Sequence, residues 1–268
     1  MEIVLKALVG GALVVAFAVL AETLSPKRFA GVFAAAPTIA VGSLAITVAF
    51  SGSSDARRAC AGMVAGAAGF IAYCSLAPHA VGRLGALRGS AITLTAWVGT
   101  VAVVLPAMAT FPVAKAAAAI AHKPVRRPTE NMRPRLRCDP GKLREVKPRE
   151  ALIRFGFGAG TSAVAGFISS WAGPFIGGAL LAFPAILLAS LTLVADEEGE
   201  AAARDDARGA RAGAVGLLCF AAVGATAFTV VVAALAIVIA AATWLVAGLG
   251  TYGIAWAAGH GGDERPAQ

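Results

Sequence analysis

Long uncharged runs separated by short polar segments dominate this sequence. Stretches without Asp, Glu, Lys or Arg cover residues 29–54, 59–82, 89–114, 155–195 and 212–262. A helix needs about 20 apolar residues to cross the roughly 30 Å hydrocarbon core of a bilayer. The first three runs therefore fit one crossing each, the last two fit two each, and residues 7–21 supply one more. The runs are continuously apolar rather than alternating, which favours membrane helices over barrel strands.

The pattern predicts eight spans in an all-α, polytopic transmembrane helical bundle. Their expected bounds are 3–21, 29–50, 57–76, 91–111, 151–170, 175–195, 207–228 and 231–258. The first of them also resembles a secretory signal, because Lys6 precedes an apolar stretch that ends near Ala16-Phe17-Ala18. Its similarity to the start of the second half favours a retained span. The turn between the last two spans is expected near Phe228-Thr229.

Several short patterns recur in the second half of the chain at nearly constant offsets. The matches are Pro37 with Pro184, Ser43-Leu44 with Ser190-Leu191, Lys6 with Arg154, Gly10 with Gly158, and Asp55-Ala56-Arg57 with Asp206-Ala207-Arg208. This order predicts a tandem duplication of a four-span unit. The expected divisions are a first repeat at 1–112, a linker at 113–149 and a second repeat at 150–260.

Composition agrees with a membrane protein and locates the charge. The chain has 268 residues, 58% hydrophobic, 14% charged, with a net charge of +8, whereas soluble domains carry roughly 25% charged residues. Nearly all of the excess positive charge lies in the Pro-rich linker, which we expect to be flexible. Its cations are expected to contact anionic lipid headgroups; they are Lys123, Arg126, Arg127, Arg133, Arg135 and Arg137. No aromatic residue separates these cations, which argues against nucleic-acid binding.

Four spans per half predict that both chain termini and the linker share one membrane face. That face carries more Lys and Arg, so the positive-inside rule makes it cytoplasmic. The two halves would then be parallel repeats related by an axis along the membrane normal. The acidic segment 196–206 is expected in solvent, and Lys6 and Arg154 are expected to snorkel to the surface.

The first half also resembles a known group of proteins. Glu22, Lys27-Arg28-Phe29-Ala30-Gly31, Ala34-Ala35-Ala36-Pro37 and Ser43-Leu44 are similar to a family of small bacterial membrane proteins catalogued as a domain of unknown function. The resemblance covers residues 1–112 well and 150–258 weakly, since the second copy lacks the acidic residue and the Lys-Arg pair. It implies a four-span fold and a bacterial inner-membrane location, and it implies no substrate.

The candidate binding residues surround the repeated prolines. Proline inside a helix removes a backbone donor and breaks or kinks the helix, and broken helices hold ions and solutes in transporters. The predicted substrate site therefore comprises Pro37, Thr38, Ser43, Pro184, Ser190 and Glu22. A purely structural kink, satisfied by neighbouring helices, is the alternative for the prolines. For Glu22 the alternative is an interfacial ion pair with Lys27 or Arg28.

Other chemistry finds little support in the sequence. The four cysteines lack C-x-x-C spacing, so neither a disulfide framework nor a metal site is expected. Gly248 to Gly253 fits a dinucleotide-binding motif but follows no strand, and close helix packing is the better interpretation. The same interpretation applies to Gly62-x-x-x-Gly66, to Gly173-x-x-x-Gly177 and to the run of Gly156, Gly158 and Gly160. We expect no cofactor and no enzymatic activity. The leading hypothesis is a transporter-like protein with a small-solute or ion pathway lined by spans two and six; the alternative is a non-transporting scaffold or accessory subunit.

Overall fold

The computed structural model describes residues 1–25, 27–110, 137–138 and 148–257. Within these ranges the chain forms α-helices and one short strand pair. The helices are α1 (Glu2–Glu22), α2 (Lys27–Ala34), α3 (Thr38–Ser51), α4 (Ser53–Leu84), α5 (Ala86–Thr110), α6 (Pro148–Ala172), α7 (Pro174–Leu181), α8 (Ala185–Glu198), α9 (Glu200–Ala227) and α10 (Ala233–Ala255). The strands β1 (Leu24–Ser25) and β2 (Arg137–Cys138) pair antiparallel.

Eight spans are long and apolar enough to cross a membrane, which confirms the predicted helical bundle. Span 2 comprises α2 and α3, span 6 comprises α7 and α8, and the other spans are single helices. The predicted turn between spans 7 and 8 is also confirmed, because α9 ends at Ala227 and α10 begins at Ala233. Spans 3 and 7 have 32 and 28 residues. At about 1.5 Å per residue both are longer than the hydrocarbon core is thick.

The first and second halves of the bundle, residues 1–110 and 148–257, run in opposite directions. Along span 1, Ile3 lies against Gly166 of span 5, Gly10 lies against Ser162, and Val14 lies against Gly158. Spans 3 and 7 show the same relation, with Cys60 beside Gly224 and Gly82 beside Arg204. Residue numbers rise along one helix as they fall along its neighbour, so both pairs are antiparallel.

This packing contradicts the predicted parallel arrangement of the halves. Residues near two opposite ends of the bundle define its faces: face 1 contains Met1, Gly52 and Gly173, and face 2 contains Thr23, Gly85 and Gly199. Span 4 ends at Thr110 on face 1, whereas span 5 begins at Pro148 on face 2. The prediction assumed that the linker starts and ends on one face, because four spans return the chain to the face from which it started. Of the linker, the structure describes only β2 and residues 148–149 at the start of α6.

Close backbone approaches join each broken span to a long helix of the other half. A Cβ atom at Gly62 or Gly66 would overlap a carbonyl oxygen of α7, that of Phe175 or Ala179. A Cβ atom at Gly209 or Gly213 would likewise overlap a carbonyl oxygen of α2. Glycine permits this contact, as the Gly62-x-x-x-Gly66 pattern predicted.

The same prediction is confirmed only in part near the end of span 8, where Gly248 is buried against Val32 and Gly213. A Cβ atom at Gly250 or Gly253 would meet no other atom within 4 Å, so neither position mediates close helix packing. The periodic spacing of glycines therefore does not by itself identify a packed face.

Candidate functional site

Both predicted helix breaks are present at the repeated prolines. Helix α2 ends at Ala34 and α3 begins at Thr38, while α7 ends at Leu181 and α8 begins at Ala185. Pro37 and Pro184 have nearly identical backbone angles, with φ/ψ of −75°/39° and −76°/40°. Proline lacks the amide N–H that would continue the preceding helix, and its ring clashes with the previous turn.

The two breaks lie at mid-depth in the bundle. Gly66 and Gly213 are close to the centres of spans 3 and 7. Gly66 packs beside Ala182 at the second break, and Gly213 packs beside Ala35 at the first. The interrupted backbones therefore face the interior at a similar level of the bilayer.

A central cavity of about 20 Å³ lies between the breaks. Ala36 and Ile39, on either side of Pro37, line it from the first half, and Pro184 lines it from the second. Its other lining side chains are apolar, including Phe70 and Leu217. A cavity of this size admits at most about one water molecule.

Two of the predicted polar residues are deeply buried near the first break. Thr38 and Ser43 are 2% and 1% exposed, and neither hydroxyl forms a hydrogen bond to another described residue. Buried hydroxyl groups without a protein partner are uncommon, and each calls for an explanation such as bound water or a ligand. The Tyr73 hydroxyl in the first half shares this property, and neither Thr38 nor Ser43 lines the central cavity.

A second cavity, of about 30 Å³, holds charged residues and is called the polar cavity below. Arg154, Ser190 and Asp206 line it, together with Ala30 and other small side chains. The Ser190 hydroxyl donates a hydrogen bond to Oδ2 of Asp206 over 2.8 Å. Ser190 is the predicted site residue that the structure places beside opposite charges.

The burial of Arg154 and Asp206 corrects two predictions. Arg154 is 6% exposed and does not snorkel to the surface, and Asp206 is 3% exposed rather than solvated with the rest of segment 196–206. Each lies six residues inside its helix, about 9 Å from the helix start. A charged side chain inside a membrane helix costs about 3 kcal/mol near the bilayer centre. Opposite charges lining one cavity reduce that cost.

Near face 1, span 1 carries a buried cation and a carboxylate with the spacing of Arg154 and Glu150, but without a counterpart of Asp206. Lys6 is 5% exposed and forms an ion pair with Glu2 over 2.7 Å. Arg154 and Glu150, both buried, have this same spacing in span 5. At the 147-residue spacing that separates Gly62 from Gly209, the first-half counterpart of Asp206 is Ala59 and not Asp55, so the predicted match of Asp55-Ala56-Arg57 with Asp206-Ala207-Arg208 is wrong in register. At this position the second half has a carboxylate and the first half has a methyl group.

A surface ion pair ties span 2 to span 7 next to the polar cavity. Nε of Arg28 donates to Oδ1 of Asp205 over 2.9 Å, and Arg208 donates to the same oxygen. Arg28 was expected to pair with Glu22, whose side chain is outside the described part of the structure. The observed pair instead connects the two halves.

The structure thus divides the predicted site among three places. Pro37, Thr38 and Pro184 lie at the central breaks, Ser190 lies in the polar cavity towards face 2, and Ser43 lies in the half of span 2 that leads to face 1. Sequence reasoning missed Arg154 and Asp206 as site residues. For Arg154 the available signal was its position directly before the uncharged run 155–195, a position that is also typical of a residue at the membrane interface. Asp206 stands among other charged residues and offered no such signal.

Comparison with known proteins identifies one region of the chain. Residues 151–257 match the model of a family described as Protein of unknown function (DUF3147). The match falls on the second half, whereas the sequence resemblance was expected mainly over residues 1–112. No curated protein and no solved structure matches the chain. The chain is thus a multi-pass membrane protein containing a domain of unknown function.

Proposed function

We propose that the chain is an inverted tandem repeat of a four-span unit. Helices α2 and α3 recur 147 positions later with the same lengths, as α7 and α8. Gly52 and Gly199, which follow them, have φ of 88° and 90°. The close approaches at Gly62 and Gly209 also recur at this spacing. A duplicated ancestor whose second copy inserted in the opposite direction accounts for these correspondences.

On this basis the protein is a transporter-like membrane protein that moves a small solute or ion between its halves. The observation that carries this proposal is the meeting of two broken helices at mid-depth between antiparallel halves. Inverted repeats with discontinuous helices at the bilayer midplane are characteristic of secondary transporters. In such proteins one half rocks against the other around a central site.

The two cavities suggest the route within the molecule. The central cavity lies between the breaks, and the polar cavity lies between it and face 2. Their volumes of about 20 and 30 Å³ correspond to a closed arrangement. Passage of a solute would require spans 2 and 6 to move relative to the long helices they contact. Where spans 2 and 6 contact the long helices, the glycines have no side chain that would obstruct such sliding.

The distribution of cations supports a cytoplasmic location for face 2. Among the described residues, face 1 carries Lys6, Arg57 and Arg58; face 2 carries Lys27, Arg28, Arg83, Arg88, Arg137, Arg149, Arg154, Arg204 and Arg208; and Arg211 lies further inside span 7. Positive residues are retained on the cytoplasmic side. This orientation replaces the expectation that both chain termini are cytoplasmic.

The test is flux through the purified protein in liposomes, screened over small cations, anions and neutral polar solutes. We expect uptake above protein-free liposomes, and we expect Pro37→Ala and Pro184→Ala to reduce it at least tenfold, a change of about 1.4 kcal/mol or more, because a continuous helix removes the break. Pro78→Ala and Pro106→Ala are the matched controls, since these prolines lie inside uninterrupted helices. Equal flux in all four variants would refute the assignment of the breaks as the site.

A scaffold or accessory subunit is the second candidate function, favoured by the tightly packed interior. Backbone contacts at Gly62 and Gly209 and the small cavity volumes suit a rigid structural unit. Absence of flux for every solute in the screen, with correctly folded protein, would favour this function over transport.

A further inference from the structure

An open apolar groove runs along the lipid-facing side of spans 5 and 6. Its volume is about 620 Å³, within the range of ligand-sized pockets. Gly156 and Gly160 form its floor, and a Cβ atom at either would meet nothing within 4 Å. Its remaining lining residues are Ile153, Phe157, Thr161, Val164, Leu180 and Phe183.

The first half carries larger side chains at the two positions that match the floor of the groove. Leu8 and Ala12 stand 148 positions before Gly156 and Gly160. Leu8 is 52% exposed, so its side chain projects from the surface, whereas Gly156 leaves open space.

The dimensions of the groove fit one lipid leaflet. From Ile153 to Val164 it extends about 17 Å along the helix, and half of the hydrocarbon core is about 15 Å thick. Beyond Val164 the same helix face presents Phe167 and Trp171, which are 64% and 84% exposed. These bulky side chains obstruct a straight second helix that would have to follow span 5 across the whole membrane.

A positively charged residue at the face 2 end of the groove would favour a lipid with an anionic headgroup. Arg149 is exposed and lies one turn before Ile153 on the same helix face, at the face 2 end. Glu150, the neighbouring acid, is buried on a different side of the helix. A cation at this depth attracts an anionic headgroup by about 1 kcal/mol.

We propose that this groove binds one anionic phospholipid, with an acyl chain over Gly156 and Gly160 and the phosphate at Arg149. The lipid proposal does not rest on transport, although the groove and the central cavity share one lining side chain, that of Phe183. It also differs from the headgroup contacts expected for the linker, since it holds the chain as well as the phosphate.

The test is native mass spectrometry of the full-length protein in detergent with added phosphatidylglycerol or phosphatidylcholine. We expect the wild type to retain one phosphatidylglycerol in preference to phosphatidylcholine. Gly156→Leu/Gly160→Ala, which installs the first-half residues, should reduce retention about tenfold, equivalent to about 1.4 kcal/mol. Arg149→Gln should reduce the preference for phosphatidylglycerol about fivefold while chain binding persists.

Three results would overturn the proposal. The first is unchanged retention in the glycine double variant, with an unaltered thermal unfolding curve showing that it folds. The second is equal retention of the two lipids by the wild type. The third is a wild-type protein dimer that Gly156→Leu/Gly160→Ala abolishes, which would assign the groove to a second copy of the chain.

Discussion

Spans 2 and 6 have the same helix lengths and are both interrupted at a proline, but the chemistry buried near them differs between the two halves of the bundle. In the first half Ser43 has no hydrogen-bond partner among the described residues, and Ala59 stands where a carboxylate stands in the second half. In the second half Ser190 donates to Asp206 beside Arg154. The comparison suggests that glycine and proline positions maintain the common architecture, while a few substitutions give one face its own polar cavity.

The largest expected change in the free energy of unfolding tests the glycine contacts that both halves have. Gly62→Val and Gly209→Val should each lower the free energy of unfolding by about 3 kcal/mol, because the new side chain would overlap a backbone carbonyl of the other half. Chemical denaturation in detergent micelles measures the change. Gly250→Val, at a position with open space around it, is the control and should change stability little. A large effect at only one of the first two positions would break the equivalence of the halves.

A smaller change in the free energy of unfolding tests the difference in buried polar chemistry between the two halves. Ser190→Ala should lower the free energy of unfolding by about 1–2 kcal/mol, because it removes a hydrogen bond to the buried carboxylate of Asp206. Ser43→Ala should be neutral or stabilising, because the hydroxyl that it removes is buried without a partner. The same denaturation measurement compares them. If Ser43→Ala were the more costly change, the assignment of the polar cavity to the second half would be wrong.

The sequence predicted the features that depend on local chemistry. The number of spans follows from the length of uncharged runs, and the breaks at Pro37 and Pro184 follow from the missing amide N–H. The expected bounds 57–76 and 207–228 were too narrow, because spans 3 and 7 extend through flanking charged residues to Ser53–Leu84 and Glu200–Ala227. Close packing at Gly62 and Gly66 follows from the absence of a Cβ atom. Each of these properties belongs to a short stretch of chain and needs no knowledge of distant contacts.

The features that depend on distant contacts were not predictable in this way. The direction of the second half is seen in the pairing of Gly10 with Ser162 and of Cys60 with Gly224, which no local pattern specifies. The burial of Asp206 likewise arises because α2 and α8 cover it, although its sequence neighbours Asp205 and Arg208 remain at the surface. An acidic segment considered without its tertiary contacts indicates solvent exposure. In this structure the side chain of Asp206, within that segment, is nevertheless buried.

The most direct test of the central claim is the sidedness of two equivalent positions, Ser53 and Glu200. Both are exposed at the start of a long helix, on faces 1 and 2 respectively. Single-cysteine variants Ser53→Cys and Glu200→Cys would be labelled with a membrane-impermeant maleimide in intact and permeabilised bacterial cells. The background would have alanine in place of Cys60, Cys74, Cys138 and Cys219. Antiparallel halves predict labelling of Ser53→Cys in intact cells and of Glu200→Cys only after permeabilisation; labelling of both positions from the same side would contradict the inverted architecture.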